Sequence, residues 1–189
     1  MDKLDLAVIV GSTRRDSINR RLAQALVRLA GDRVRARFIR IDDLPLYNQD
    51  LEGQRPAEVD RFTAEVAAAD AILVVSPEHN RSITAALKNA IDWGSKPADR
   101  NVWRDKVIAI TGTTSGAIGT AVGQAHLRLV LGILGALVMG GEAYIGGFKP
   151  ELVDAEDRIT VDSTRDFLSA WMDRFLKLAQ GMRQVRSAA

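Results

Sequence analysis

The chain contains no cysteine at all. That excludes disulfides, thiol nucleophiles, and zinc or iron–sulfur centres held by thiolates. It has only two histidines, His79 and His126, too far apart in sequence to suggest a metal cluster. Any redox chemistry must therefore come from a bound cofactor. No apolar run is long enough for a bilayer, which takes about 20 residues; the longest runs from Leu129 to Met139. No basic segment followed by a helical apolar stretch opens the sequence, so no signal peptide is expected and the cytoplasm is the default location. Excess charge of one sign is also missing. A net charge of +2 suits phosphate-bearing ligands, but it is far from the basic stripe of a nucleic-acid binder.

What is present is strand alternating with helix. Leu4 to Val10 is short, apolar and stopped by Gly11, which reads as a buried strand. Ser17 to Ala30 places Ile18, Leu22, Ala25, Leu26 and Leu29 on one helical face. Val34 to Ile41 reads as a second strand, with arginines on its wetter side. Asp42 to Pro56 reads as a long loop. A helix is expected over 57–68, a strand over 71–75, a helix over 82–93 and a strand over 106–110. A long apolar helix over about 120–134, taken mostly as core, precedes a strand over 136–145, and a last amphipathic helix covers 163–180.

Five such units with continuous apolar strands predict a single domain over 1–189 of the α/β class. The expected form is a flavodoxin-like three-layer sandwich with a five-stranded parallel sheet in order 2-1-3-4-5. Ligands of such sheets lie beyond the carboxyl ends of the strands, near strand 1. Three loops are singled out by that rule.

The first loop, Gly11 to Asn19, joins hydroxyls, two arginines and Asn19 to a helix start, and free N–H groups there attract anions. It matches neither a Walker A nor a G-x-G-x-x-G pattern, so a mononucleotide phosphate is better supported than ATP. The plainer reading is a helix capped by Asp16 or Ser17 with solvated arginines. In the second loop, Ser76 to Ser82, Pro77 fixes the strand exit, while Asn80 and Ser82 are turn and N-cap types. Spacing leaves open whether Glu78 and His79 face a ligand or solvent. The third loop, Thr111 to Gly119, has three glycines and four hydroxyls. It reads as either a close-approach surface for a flat ligand or a flexible link.

Gly11–Asn19 (G-S-T-R-R-D-S-I-N) resembles the G-S-x-R-x-x-S-x-N phosphate loop of the NADPH-dependent FMN reductase family. That flavodoxin-like group includes quinone, chromate and azo-dye reductases. Pro77–Ser95 resembles its P-E-Y-N-x-S…L-K-N-A-I-D-W-x-S signature, with His79 in place of the tyrosine. The resemblance spans about residues 4 to 150. It implies that Ser12, Arg14, Ser17 and Asn19 hold an FMN phosphate. Pro77, Glu78, His79 and Asn80 line the isoalloxazine, with Ser82 fixing that loop, and Thr113, Ser115 and Gly116 flank the ring or ribityl chain. Lys88, Asn89, Asp92 and Trp93 are structural, on a helix that contributes to subunit contacts.

The activity implied is hydride transfer from NADPH or NADH through flavin N5 to a small-molecule electron acceptor such as a quinone, free flavin or chromate. No catalytic side chain, metal, nucleic acid or membrane insertion is implied, and the assembly would be a homodimer or homotetramer. Arg15 and Arg81 are basic candidates for favouring NADPH. The rival readings are a flavodoxin-type electron carrier, which is usually strongly acidic, and a flavin-binding regulatory protein.

Overall fold

A computed structural model describes residues 2–188. Its elements run β1 (Leu4–Val10), α1 (Ile18–Ala30), β2 (Val34–Ile39), α2 (Ala57–Ala67), β3 (Ala71–Val75), α3 (Ala85–Gly94) and β4 (Val107–Thr113). Then follow α4 (Ala121–Ile133), β5 (Leu137–Val138), β6 (Ala143–Ile145) and α5 (Asp162–Ala188). The strands pair in parallel in the order β2-β1-β3-β4-β5, as expected.

Both faces of the sheet are covered, which explains why β3 is apolar throughout rather than alternating. One face packs Leu6, Val8 and Leu73 against Leu22 and Leu26 of α1 and against Trp171 and Phe175 of α5. The other packs Ile9, Ile72 and Ile108 against Phe62 of α2, Trp93 of α3 and Leu127 of α4.

The expected fifth strand is split, so the sheet has six strands rather than five. Both β5 and β6 pair with β4, and Gly140–Glu142 breaks away between them, after a last bond from Met139 N to Ile108 O. Side chains draw the carbonyls of this break. Arg128 donates to Met139 O at 2.7 Å, and Trp171 Nε1 donates to Gly141 O at 2.9 Å. Gly141 has φ of +78°, where a side chain would be strained.

Other features also differ from the sequence reading. β4 runs on to Thr113 instead of stopping at Ile110, because β6 gives its last residues a partner. α3 starts at Ala85 rather than Ser82, and its N-cap is Thr84, whose hydroxyl accepts from Leu87 N. The run of strong helix formers from Ala85 onward was the available signal. α4 is not mostly core. It buries Gly123, Gln124, Leu127 and Leu131, but Leu129 is 74% exposed and Ile133 84%.

The signature helix α3 does structural work with its inward side. Asn89 accepts from Tyr47 N at 2.8 Å and donates to Pro45 O at 2.9 Å. Trp93 Nε1 donates to the same carbonyl at 2.7 Å. The long loop after β2 is thereby pinned, while Lys88 and Asp92 form an i,i+4 ion pair on the outer side.

Candidate active site

The carboxyl ends of β1, β3 and β4 open into a cleft of about 480 Å³. Its first wall is the loop after β1. Gly11 lets that loop pass against β3: a Cβ there would lie 2.2 Å from Ser76 Oγ. Ser17 is the N-cap of α1, buried, with its Oγ accepting from Arg20 N at 3.2 Å. Of the two caps open to the sequence reading, Ser17 is the one used. Its hydroxyl proton stays free to donate, as do the N–H groups at the first turn of α1. Ser12, Thr13 and Arg14 line the same end.

The second wall is Pro77–Thr84. His79 N donates to Ser82 O and Ser82 N donates to His79 O, each at 2.9 Å. Asn80 and Arg81 between them have φ of 49° and 60°. Two central residues with positive φ make a type I′ turn, in which asparagine is favoured and arginine is not. Arg81 is held by the carboxylate of Glu78 at 3.5 Å. That same carboxylate accepts from Gly123 N at 3.0 Å, in the first turn of α4. Glu78 therefore caps α4, whose own N-cap Thr120 makes no side-chain capping bond to the helix backbone. Ser82 Oγ and His126 Nδ1 share a hydrogen bond of 3.0 Å, tying the turn to α4 a second time.

The third wall, Thr113–Ser115, is fixed rather than flexible. Thr114 N donates to Ile145 O, Phe148 N to Thr114 O, and Gly147 N to Gly116 O. Gly112 lets β4 pass beside β3: a Cβ there would stand 1.9 Å from Ser76 O.

The three walls are linked. Thr84 Oγ1 donates to Gly11 O at 2.6 Å, and Asn19 bonds Thr113 through both ends of its amide. Nine of the twelve residues expected at the site line this one cleft: Ser12, Arg14, Ser17, Asn19, Pro77, Glu78, His79, Thr113 and Ser115. Asn80 and Ser82 line a neighbouring hollow with Ile83, His126 and Leu129 instead. Gly116 stands behind the third wall. Thr13, Thr84 and Thr114 line the cleft but were not among the expected residues. Of these, Thr84 carried the readable signal, a hydroxyl residue directly before a run of helix formers.

The donor set suits a phosphorylated flat heterocycle. Glu78 is the one carboxylate among the lining residues, and it is turned onto α4 and Arg81. What remains at the α1 end is an arginine, hydroxyls and amide N–H groups, an anion site. The other end offers Pro77, Ala85, Ala86 and backbone, a surface for a ring. No group of three or more potential metal ligands exists among the described residues.

Known proteins resemble this chain over most of its length. A family model for NADPH-dependent FMN reductases matches residues 4–150. A 2-hydroxy-1,4-benzoquinone reductase of Burkholderia sp. is 42% identical over 91% of this chain and 94% of its own length. A quinone reductase of Pseudomonas putida is 43% identical over 95% of this chain and 97% of its own. The solved flavoenzyme NAD(P)H:(acceptor) oxidoreductase of Paracoccus denitrificans superposes with a TM-score of 0.91 at 38% identity, covering 95% of this chain and 98% of that one. The chain belongs to the NADPH-dependent FMN reductase family and is an FMN-dependent NAD(P)H oxidoreductase of the quinone and flavin reductase type.

Proposed function

We propose that this protein reduces quinones and related small acceptors at the expense of NADPH or NADH, with FMN held between the loops after β1, β3 and β4. The observation that carries this is the cleft itself, where Arg14 and the α1 N-terminus oppose no free carboxylate. Ser12, Arg14, Ser17 and the first amides of α1 hold the phosphate. Pro77, Glu78 and His79 set the ring edge through backbone, and Thr113 and Ser115 its other side, while Asn80 and Gly116 support these walls from outside the cleft. Ser82 fixes the turn.

Bound FMN supplies hydride acceptance from the nicotinamide and its return to the acceptor. The chain's own part is to bind, orient and neutralise. Amide N–H groups of the second loop would stabilise negative charge on a ring held beside them. His79 N–H is committed to Ser82 O, which leaves that of Glu78 for the task. Asn19 acts as a positioning residue, holding the third wall against the first.

We further propose a homodimer, built on the outer face of α4. Leu129 and Ile133 stand exposed one turn apart, beside the apolar hollow formed by Ile83, Ala85 and Val130. Such a stripe on a soluble protein marks an interface. We place the protein in the cytoplasm as one domain, where reduced nicotinamide is at hand. No helix among the described residues is long and apolar enough to cross a membrane.

The test is a visible spectrum of the purified protein, then NADPH and NADH oxidation with a quinone. Flavin absorbance that stays with the protein, and steady turnover without a second protein, are expected. Failure to take up FMN at micromolar concentration would sink the proposal. Bound flavin without turnover would favour a carrier instead.

A further inference from the structure

A second cleft lies on the other side of the loop after β1. It encloses about 410 Å³ and reaches from Ser12 across the carboxyl end of β2. Four guanidinium groups line it, those of Arg14, Arg15, Arg20 and Arg40, against the single carboxylate of Asp42. Asp42 is paired with Arg40 at 2.9 Å, and Asp43 lies 3.7 Å from the same nitrogen. Among the described residues, Arg14, Arg15 and Arg20 have no carboxylate within ion-pair distance.

One flavin phosphate accounts for Arg14. Arg15 and Arg20 are left over without a carboxylate, and Arg40, already paired with Asp42, converges with them on one hollow. Like charges gathered this way repel unless a polyanion joins them. The floor has a different character. Val10, Ile39 and Ile41 are buried beneath it, and Arg20 lies over the Phe38 ring at 5.2 Å. The Phe38 ring holds the Arg20 guanidinium at the rim of the hollow. An apolar floor under a guanidinium rim is the chemistry that recognises a phosphorylated adenosine.

We propose that this cleft holds the 2′,5′-ADP half of NADPH, with Arg20 and Arg40 reading the 2′-phosphate and the base on the apolar floor of Val10, Ile39 and Ile41. The two clefts share Ser12, Thr13 and Arg14, so a dinucleotide crosses that loop to bring its nicotinamide to the flavin cleft. The inference rests on FMN occupying the first cleft. It gives the preference for NADPH a place in the chain: the end of β2 and one turn of α1.

The experiment titrates 2′,5′-ADP into the FMN-loaded protein and measures KM for NADPH and NADH, in wild type, Arg20→Ala and Arg40→Ala. Each variant should weaken 2′,5′-ADP and raise KM for NADPH by about tenfold, the scale of one guanidinium–phosphate contact. FMN affinity and KM for NADH should stay within about twofold of wild type, and Arg20→Lys should recover part of the loss. Unchanged 2′,5′-ADP binding in both variants would overturn the proposal, as would equal losses for NADPH and NADH. Binding of FAD more tightly than FMN, with the advantage lost in Arg20→Ala, would also overturn it by giving the cleft to the flavin's own adenosine. A wild-type protein that binds 2′,5′-ADP but not FMN would overturn the flavin assignment and leave this one standing.

Discussion

Asn19 is hydrogen-bonded twice to the backbone of Thr113, its Nδ2 donating to Thr113 O at 3.0 Å and its Oδ1 accepting from Thr113 N at 2.9 Å. The physical reason lies in the sheet. β3 pairs with β4 only as far as Val75 opposite Thr111, and Ser76 N makes the last bond, to Thr111 O. Thr113 faces the same side with no strand beside it. A carboxamide carries one donor side and one acceptor side, like a peptide group, so Asn19 continues the ladder where β3 has ended. The bond also sets the distance between the first and third walls of the cleft.

Asn19→Ala would strand two backbone groups in a site where the asparagine is 2% exposed. The expected cost is about 2–4 kcal/mol in urea unfolding, from two unsatisfied buried groups. FMN affinity should fall as well, since the third wall loses its tether. A variant as stable as wild type would contradict the ladder role.

Arg14→Ala tests the phosphate assignment. Loss of one charge-assisted hydrogen bond corresponds to a rise in FMN Kd of roughly 10- to 100-fold, read by flavin fluorescence quenching. An unchanged Kd would remove Arg14 from the site.

Glu78→Ala removes the acceptor for Gly123 N and the partner of Arg81. A helix-capping loss of about 1 kcal/mol is expected, with Glu78→Gln recovering part of it by keeping an acceptor. Equal stability in all three proteins would show that α4 needs no cap from the second loop.

Replacing both Leu129 and Ile133 with arginine should lower the mass measured by sedimentation from dimer to monomer, with the circular dichroism spectrum unchanged. Both side chains are largely exposed in the single chain, so its own packing loses little. A dimer surviving the double change would move the interface elsewhere.

The Tyr47 hydroxyl donates to Glu52 at 2.6 Å, and that bond, with burial and the carboxylate's charge, raises the phenol from 10.0 to about 12. The folded state thus holds this proton more tightly than the unfolded chain does. Its stabilisation is complete below pH 10 and is lost as pH rises from about 10 to about 12. Spectroscopic titration should show Tyr47 ionising late, and Glu52→Gln should bring it back toward the ordinary value. Identical titrations would deny the pairing.

The sequence by itself determined the strand order and the three loops that matter. Apolar runs such as Ala71–Val75 mark strands covered on both faces, and Gly11, Pro77 and the Thr113–Gly119 segment mark where the chain leaves the carboxyl ends of its strands. These are local properties, legible wherever periodicity or backbone freedom is set by a few neighbouring residues. Only the tertiary structure decided what depends on residues far apart in the chain. It bonded both ends of the Asn19 amide to Thr113, and it spent Glu78 on Gly123. It divided the last strand by drawing its carbonyls to Arg128 and Trp171, and it gathered Arg14, Arg15, Arg20 and Arg40 around one hollow. A hydrogen bond or a charge cluster across such separations leaves no period or motif in the sequence. It exists only once packing has fixed which surfaces meet.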